Sequence, residues 1–405
     1  MKKTIIFIIP RNPYPTYSGF AKHNFFIAKE LKKLNYKLIL ISLNFNFFKI
    51  FKKDFPQSPF EEHFTLKLSL FDFIYTLFHS LFCLLRSRTV QLSFFSSPLF
   101  KRKFEYTLKN IKISNNVSFV HIFSLRTINI WPILNQQNIP FFIDLIDSVG
   151  LTFERYSQNK KAFKKLFYKF ESRNIARLES RLPIFSNLKS YSIVSKIDLA
   201  RIKTTNNSKI YSYPIGIELE NYKFKNKSIK KNYDLIFFGS LEYSPNLTAI
   251  IWFIKEIYPL LLNEIRDIKI LVTGFNPPNS LVKMIKNNKN IFLKSNPERI
   301  QDFINSSRIS IAPMLTGSGQ QNKVIESMAL SVPVVLTSKA AKPLNLSSMN
   351  NCIIANNPNS FSSSIKLLLE NENLREEIGI NSYNFVVKNH NWSSIVSNLQ
   401  NDIYV

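Results

Sequence analysis

The sequence predicts an α/β architecture built twice, once in each half of the chain. Short apolar runs alternate with helical windows in both halves. These runs are continuous in Ile, Val, Leu and Phe, as expected for parallel strands buried on both faces by crossover helices. With 405 residues and 45% hydrophobic content, the chain can bury two ordinary cores.

In the N-terminal half, Thr4–Ile9 reads as a strand, Pro10–Gly19 as a loop, Phe20–Leu34 as a helix and Tyr36–Leu43 as a strand, with Asn35 a left-handed helix stop. Met1-Lys-Lys ahead of the first strand imitates a secretory leader. Its apolar run is too short, however, and closes on Pro10-Arg11 rather than on small residues. Gly19 is either a turn glycine or part of a phosphate- or acceptor-contacting loop. From Phe45 to Asn116 the chain is Phe-rich and basic without a clean period, and is expected to form helices inserted in this domain. Leu66–Leu85 is its most apolar stretch, but Lys67, Asp72 and His79 argue against a membrane span.

Val120-His-Ile-Phe-Ser-Leu-Arg126 places His121 and Arg126 beside a buried strand, where His121 is either structural or a site residue. Asp144 and Asp147 follow the apolar run Pro140–Ile143, at a strand's carboxyl end, where open α/β sheets place ligands. They are either loop and cap residues or the pair that handles the proton of a reacting hydroxyl, Asp147 first and Asp144 in reserve. Phe163–Arg181 reads as a helix with a charged face, Ser195 as a helix cap, and Lys209–Tyr213 as a strand. A Lys/Asn-rich linker after Pro214-Ile-Gly216 sets the boundary between an N-terminal domain, 1–213, and a C-terminal domain, 214–381.

In the second half, strands are expected at Asp234–Gly239, Ile268–Gly274, Asn290–Lys294, Ile309–Met314, Val332–Thr337 and Asn351–Ala355. Asn296-Pro297-Glu298 supplies an N-cap, a first-turn proline and an acid, predicting a helix to about Asn305. A last helix is expected over about 382–401.

The stretch from Pro313 to Val335 carries the most chemistry. Two of only eight glycines, Gly317 and Gly319, flank Ser318 between a strand and a helix, where the missing Cβ lets backbone N–H groups approach a phosphate. Gln320 follows. Lys323 can neutralise a diphosphate, and Glu326 can accept hydrogen bonds from ribose hydroxyls. Together they read as a nucleotide-sugar cradle.

Gly317-Ser-Gly-x-x-x-Lys323-x-x-Glu326-Ser-Met-Ala329 with Val332-Pro-Val-Val335 resembles the donor-binding segment of the family 4, or group 1, glycosyltransferases. Phe238-Gly239-Ser-Leu-Glu-Tyr243-Ser-Pro245-Asn246 is similar to the strand, loop and helix that open that family's C-terminal domain. A polysaccharide-biosynthesis subgroup is also similar through Ser87–Pro98 and Ile143–Ser148. The resemblance implies the GT-B fold, two Rossmann-like domains facing across a cleft, with the final helix, about 382–405, returning to the N-terminal domain. It implies a nucleotide-sugar donor held by Gly239, Tyr243 and the cradle, a glycan or lipid-linked acceptor, and retention of anomeric configuration. The chain departs from the pattern at Ser318, where the family's acidic pair has its first Glu, and lacks the frequent Lys-Gly after the first C-domain strand.

The net charge of +27 does not point to nucleic acid, because the lysines spread over both halves without forming one basic segment. An anionic membrane surface accounts for the charge as well. Cys83 and Cys352 make no disulfide framework and fit a reducing, cytoplasmic setting, peripheral on the inner face of the membrane. With no Asp-x-Asp pair and scattered histidines, neither a metal nor a separate cofactor is expected. A sugar-nucleotide epimerase of the same fold and a nucleotide-binding subunit without turnover are the alternatives. An epimerase would act on nucleotide sugar with no acceptor present.

Overall fold

The computed structural model describes residues 2–11, 19–44, 58–158, 162–205, 210–222, 230–316 and 320–404. The chain divides into two compact units, Met1–Ile215 with Ile395–Val405, and Gly216–Ser394.

The first unit begins with β1 (Thr4–Ile9), α1 (Gly19–Lys33) and β2 (Lys37–Asn44), with Asn35 at φ 67° in the left-handed turn between helix and strand. β3 (Glu62–Lys67), α2 (Leu70–Leu85) and α3 (Pro98–Ser114) follow, then β4 (Val117–Phe123), α4 (Trp131–Gln136) and β5 (Phe141–Asp144). α5 (Val149–Gln158), α6 (Ala162–Glu179), β6 (Leu188–Ile193), α7 (Lys196–Leu199) and β7 (Ile210–Ser212) complete it. The seven strands form one parallel sheet in the order β3-β2-β1-β4-β5-β6-β7. The chain therefore winds outward from β1 and returns to β4, leaving a switch point between those two strands.

β3 corrects the expectation of helices alone between Phe45 and Asn116. Glu62–Lys67 pairs in parallel with β2 from Ile39 to Asn44, at the sheet's edge. Its alternation of polar and apolar residues is an edge-strand pattern, weaker than the continuous runs of the central strands. Residues 45–57 of that segment lie outside the described residues.

The second unit carries β8 (Tyr233–Phe238), α8 (Ser244–Trp252), α9 (Tyr258–Glu264), β9 (Ile270–Gly274), α10 (Asn279–Lys286) and β10 (Ile291–Ser295). Next come α11 (Ile300–Asn305), β11 (Ser307–Ala312), α12 (Asn322–Met328), β12 (Val334–Leu336), α13 (Ser338–Ala341) and β13 (Ile353–Ile354). α14 (Pro358–Glu370) and α15 (Glu372–Asn389) follow, and α16 (Trp392–Leu399) starts in this unit and passes into the first at Ile395. Prolines 245, 259 and 358 open α8, α9 and α14, where a missing N–H costs nothing. The six strands are parallel in the order β10-β9-β8-β11-β12-β13, with a second switch point between β8 and β11. Leu235, Phe237, Leu271, Ile309, Ile311 and Val335 bury completely between the helical layers.

Two expectations fail locally. Asn296 is not a helix cap: it sits at φ 51°, donates its N–H to Gly274 O at 2.8 Å, and accepts at Oδ1 from Asn276 N. α11 starts four residues later, at Ile300. The single last helix is two, α15 and α16, because the His390 carbonyl accepts a 2.6 Å bond from Ile217 N and the chain bridges there between Ile217 and Asn391. Among the described residues no helix is long and apolar enough to cross a membrane.

Candidate functional site

In the second unit the site is built at the carboxyl ends of β8 and β9. Gly239 (φ 140°) and Gly274 (φ 155°) close those strands in backbone conformations that side chains avoid. A Cβ on Gly274 would lie 1.7 Å from the Gly239 carbonyl oxygen, so the two strand ends approach each other only as glycines. The loop that follows is pinned by Leu241 N donating to Phe275 O at 2.8 Å and by Asn246 Nδ2 donating to Ser240 O at 2.9 Å.

Lys323, in the first turn of α12, reaches beneath this loop. Its Nζ donates to Asn246 Oδ1 at 2.7 Å and stands 4.2 Å from the centre of the Phe237 ring. The residue is 7% exposed. Burial lowers its pKa to about 7, against the pull of Glu326 in the opposite direction. An ammonium has three donors; one is spent on Asn246 and a second makes a weak bond to Met314 Sδ at 3.9 Å. An anion arriving over the Gly239 loop would favour the charged form.

Glu326, one turn further on α12, is half-buried and accepts a hydrogen bond from the Tyr222 hydroxyl. Burial first, then Glu326, raises the Tyr222 pKa. Gln320 Nε2 donates to Pro343 O at 3.4 Å, and Tyr243 is exposed at the N-cap of α8. Gly317, Ser318 and Gly319 lie outside the described residues.

In the first unit, Asp144 ends β5 and is buried. Its Oδ2 lies 2.8 Å from His23 Nε2 and 3.9 Å from His121 Nε2, while Oδ1 accepts the Ile146 N–H at 3.0 Å. Burial pushes this carboxyl up, but the His23 imidazole and the hydrogen bonds outweigh it, so its pKa falls below the ordinary value. His121 is fully buried and its other ring nitrogen, Nδ1, meets the Tyr404 hydroxyl at 2.6 Å. Burial holds its pKa down at about 3, so it is neutral. Asp147 is exposed beyond β5, with Thr152 Oγ1 3.5 Å from its Oδ2. Arg11, after β1, feels the repulsion of Arg126 and the attraction of Asp147, with burial lowering its pKa most. Arg11, Arg126 and Asp147, which follow β1, β4 and β5, lie close enough for their charges to act on one another. Gly19 is the first residue of α1.

Residues 232–371 match the family model of the glycosyl transferases group 1. That match lies within the second unit. A solved glycosyltransferase from Rickettsia africae superposes over 99% of this chain and 98% of its own at a TM-score of 0.68 and 15% identity. HepE of Anabaena, in complex with UDP, covers 99% of both chains at a TM-score of 0.64 and 12% identity. The fold is GT-B. A curated relative, an uncharacterized 44.6 kDa protein in the cps region of Klebsiella pneumoniae, is 24% identical over 252 residues, 60% of this chain. The match spans 63% of that relative, less than two thirds of its length.

Within the second unit, the structure brings together Gly239 and Lys323, and joins Lys323 with Glu326 on one helix. In the first unit it brings Asp144 to His121, and sets Arg126 and Asp147 within electrostatic reach of Arg11. Three partners escaped the sequence: His23, Arg11 and Tyr222. His23 had a signal, a polar residue beside Asn24 on a helix whose inward face is otherwise Ala21, Ile27, Ala28 and Leu31. Arg11 stands directly after the first strand. Tyr222 lies in the stretch read as linker, which instead forms a short helical turn, Leu219–Tyr222.

Proposed function

We propose that this chain transfers a sugar from a nucleotide-sugar donor to a hydroxyl of a glycan or lipid-linked acceptor, in bacterial surface polysaccharide or glycolipid assembly. The observation that carries it is the buried Lys323 beneath the Gly239 loop of a group 1 domain, with Glu326 one turn away. UDP is the first nucleotide to test, because HepE, of the same fold, binds UDP and UDP-glucose.

In this reading Glu326 receives the ribose hydroxyls, and Lys323 with the loop amides meets the diphosphate charge as it grows on departure. The bond from the anomeric carbon to the diphosphate oxygen breaks while the acceptor oxygen bonds on the same face. The acceptor proton passes to the departing phosphate, and the anomeric configuration is retained. Asp147 is the exposed carboxylate assigned to orient the acceptor hydroxyl, and Arg11 and Arg126 favour an acceptor carrying negative charge. Asp144, engaged by His23 and Ile146, acts through that imidazole as a positioning residue. No metal or separate cofactor takes part, and the protein works at the inner face of the membrane, held peripherally by charge.

A thermal-shift screen against UDP, GDP, ADP and their sugars, followed by transfer from the stabilising donor to membrane extract, tests the proposal. Stabilisation by one nucleoside diphosphate and its sugar, with diphosphate released only when acceptor is present, is expected. Conversion of the donor to an epimeric nucleotide sugar without acceptor, the diphosphate staying attached, would make the protein an epimerase. Donor binding with no turnover on any extract would make it a binding subunit.

A further inference from the structure

α2 is an amphipathic helix turned inside out. Its inward face is polar: Asp72, Thr76 and Cys83 are buried, with His79 and Ser80 half-buried between them. Asp72 accepts from Ser69 N at 2.8 Å and from the hydroxyls of Ser69 and Ser97, closing a capping box. Ser80 Oγ meets Ser93 Oγ at 2.6 Å, and Arg88 N donates to Cys83 O at 2.7 Å. These bonds fix the helix with its apolar face outward. Leu70, Phe71, Phe78, Leu81 and Leu85 are between 57% and 79% exposed, on a helix whose mean composition is strongly apolar. The only carboxylate in the helix is the buried Asp72. A continuous outward row of this kind is the mark of an interaction surface rather than of scattered exposure.

The surroundings specify the occupant. Arg86 lies against the Phe82 ring at 4.6 Å, and Arg88 and Lys101 stand close enough to lower the pKa of His79, after burial. Arg102 and Lys103 are exposed on the first turns of α3. A strip of large apolar side chains rimmed by arginine and lysine complements a bilayer surface bearing anionic headgroups. The sixteen residues of α2, about 24 Å long, are too few to span a bilayer and suited to lying in its interface. We propose that α2 is the element that docks this protein on an anionic membrane, its apolar face entering the outer part of the acyl layer and Arg86, Arg88 and Lys101 meeting phosphate. This rests on the peripheral attachment proposed above and names the residues that produce it.

Cosedimentation of the full chain with phosphatidylcholine vesicles, with and without phosphatidylglycerol, tests the assignment. The parent protein is expected to bind the anionic vesicles, less so as salt rises. The double variant Phe78→Ser, Leu81→Ser should bind at least about tenfold more weakly. Arg86→Gln with Arg88→Gln should lose the preference for anionic vesicles, and Leu367→Ser, on an exposed site of the other unit, should change nothing. Nucleotide binding is followed in every variant, so a failed surface and a failed transferase reading show separately. Vesicle binding that survives the double variant overturns the proposal. So does a parent protein that ignores vesicles, or one that sediments as a dimer which the double variant dissociates, because the face then belongs to a second copy.

Discussion

Lys323 carries a charge that depends on what lies above it. Burial holds it at about 7 in the free protein, and the proposed diphosphate, once bound, should raise that value, so binding should take up a proton. Affinity for the nucleoside diphosphate should therefore be full below pH 7. Above it, affinity should fall by up to about tenfold per pH unit until the bound-state pKa is reached. Titrations across this range check it, and Lys323→Met, which keeps the bulk and loses the charge, should flatten the profile. In the proposed reaction Asp147 serves the acceptor half. Asp147→Asn should leave nucleotide affinity unchanged and lower turnover by about 100-fold, the scale of losing a positioned acid or base. Unchanged turnover in a transfer assay would remove Asp147 from the acceptor side. Lys323 and Glu326 stood out in the sequence as candidates because chemistry and spacing coincide there. His23 was not, because its meaning comes from Asp144, 121 residues away, and only sheet topology brings the two together.

At the scale of elements, the central strands were legible because burial on both faces imposes continuous apolar runs. β3 was not, since an edge strand is half exposed and α2 beside it has its polarity reversed. The reversed helix depends on Asp72. Burial raises this carboxyl, but hydrogen bonds from Ser69 and Ser97 outweigh it, so its pKa lies below the ordinary 3.8. A group depressed in the fold contributes stability above its unfolded pKa and loses it as pH falls through the folded value. Asp72→Ala should lower stability by about 1–3 kcal/mol at neutral pH, from lost capping and unpaired hydroxyls. Chemical denaturation should show that difference shrinking towards pH 3 and below. A variant as stable as the parent at pH 7 would mean that the inward bonds do not hold α2 in place.

For the whole molecule, one sequence supplies two α/β units of the same kind, each with a switch point at the carboxyl ends of its strands. The return of residues 395–405 to the first unit rests on pairings such as Tyr404 with His121 and Tyr213 with Asp402, too distant in sequence for any local pattern. Under the proposed function the net charge of +27 has a use on this scale, since the proposed donor, acceptor and membrane surface are all anionic. The central claim is that the group 1 domain holds a nucleoside diphosphate between Lys323 and Glu326. Calorimetric titration with uridine, UMP and UDP measures it directly in the parent, Lys323→Met and Glu326→Ala proteins. Glu326→Ala should weaken all three ligands, by about 1.5–3 kcal/mol for hydrogen bonds lost from a charged group, and Lys323→Met should weaken UDP alone. If both variants bind every ligand as the parent does, or if the parent binds no nucleoside diphosphate whatever its base, the claim is contradicted.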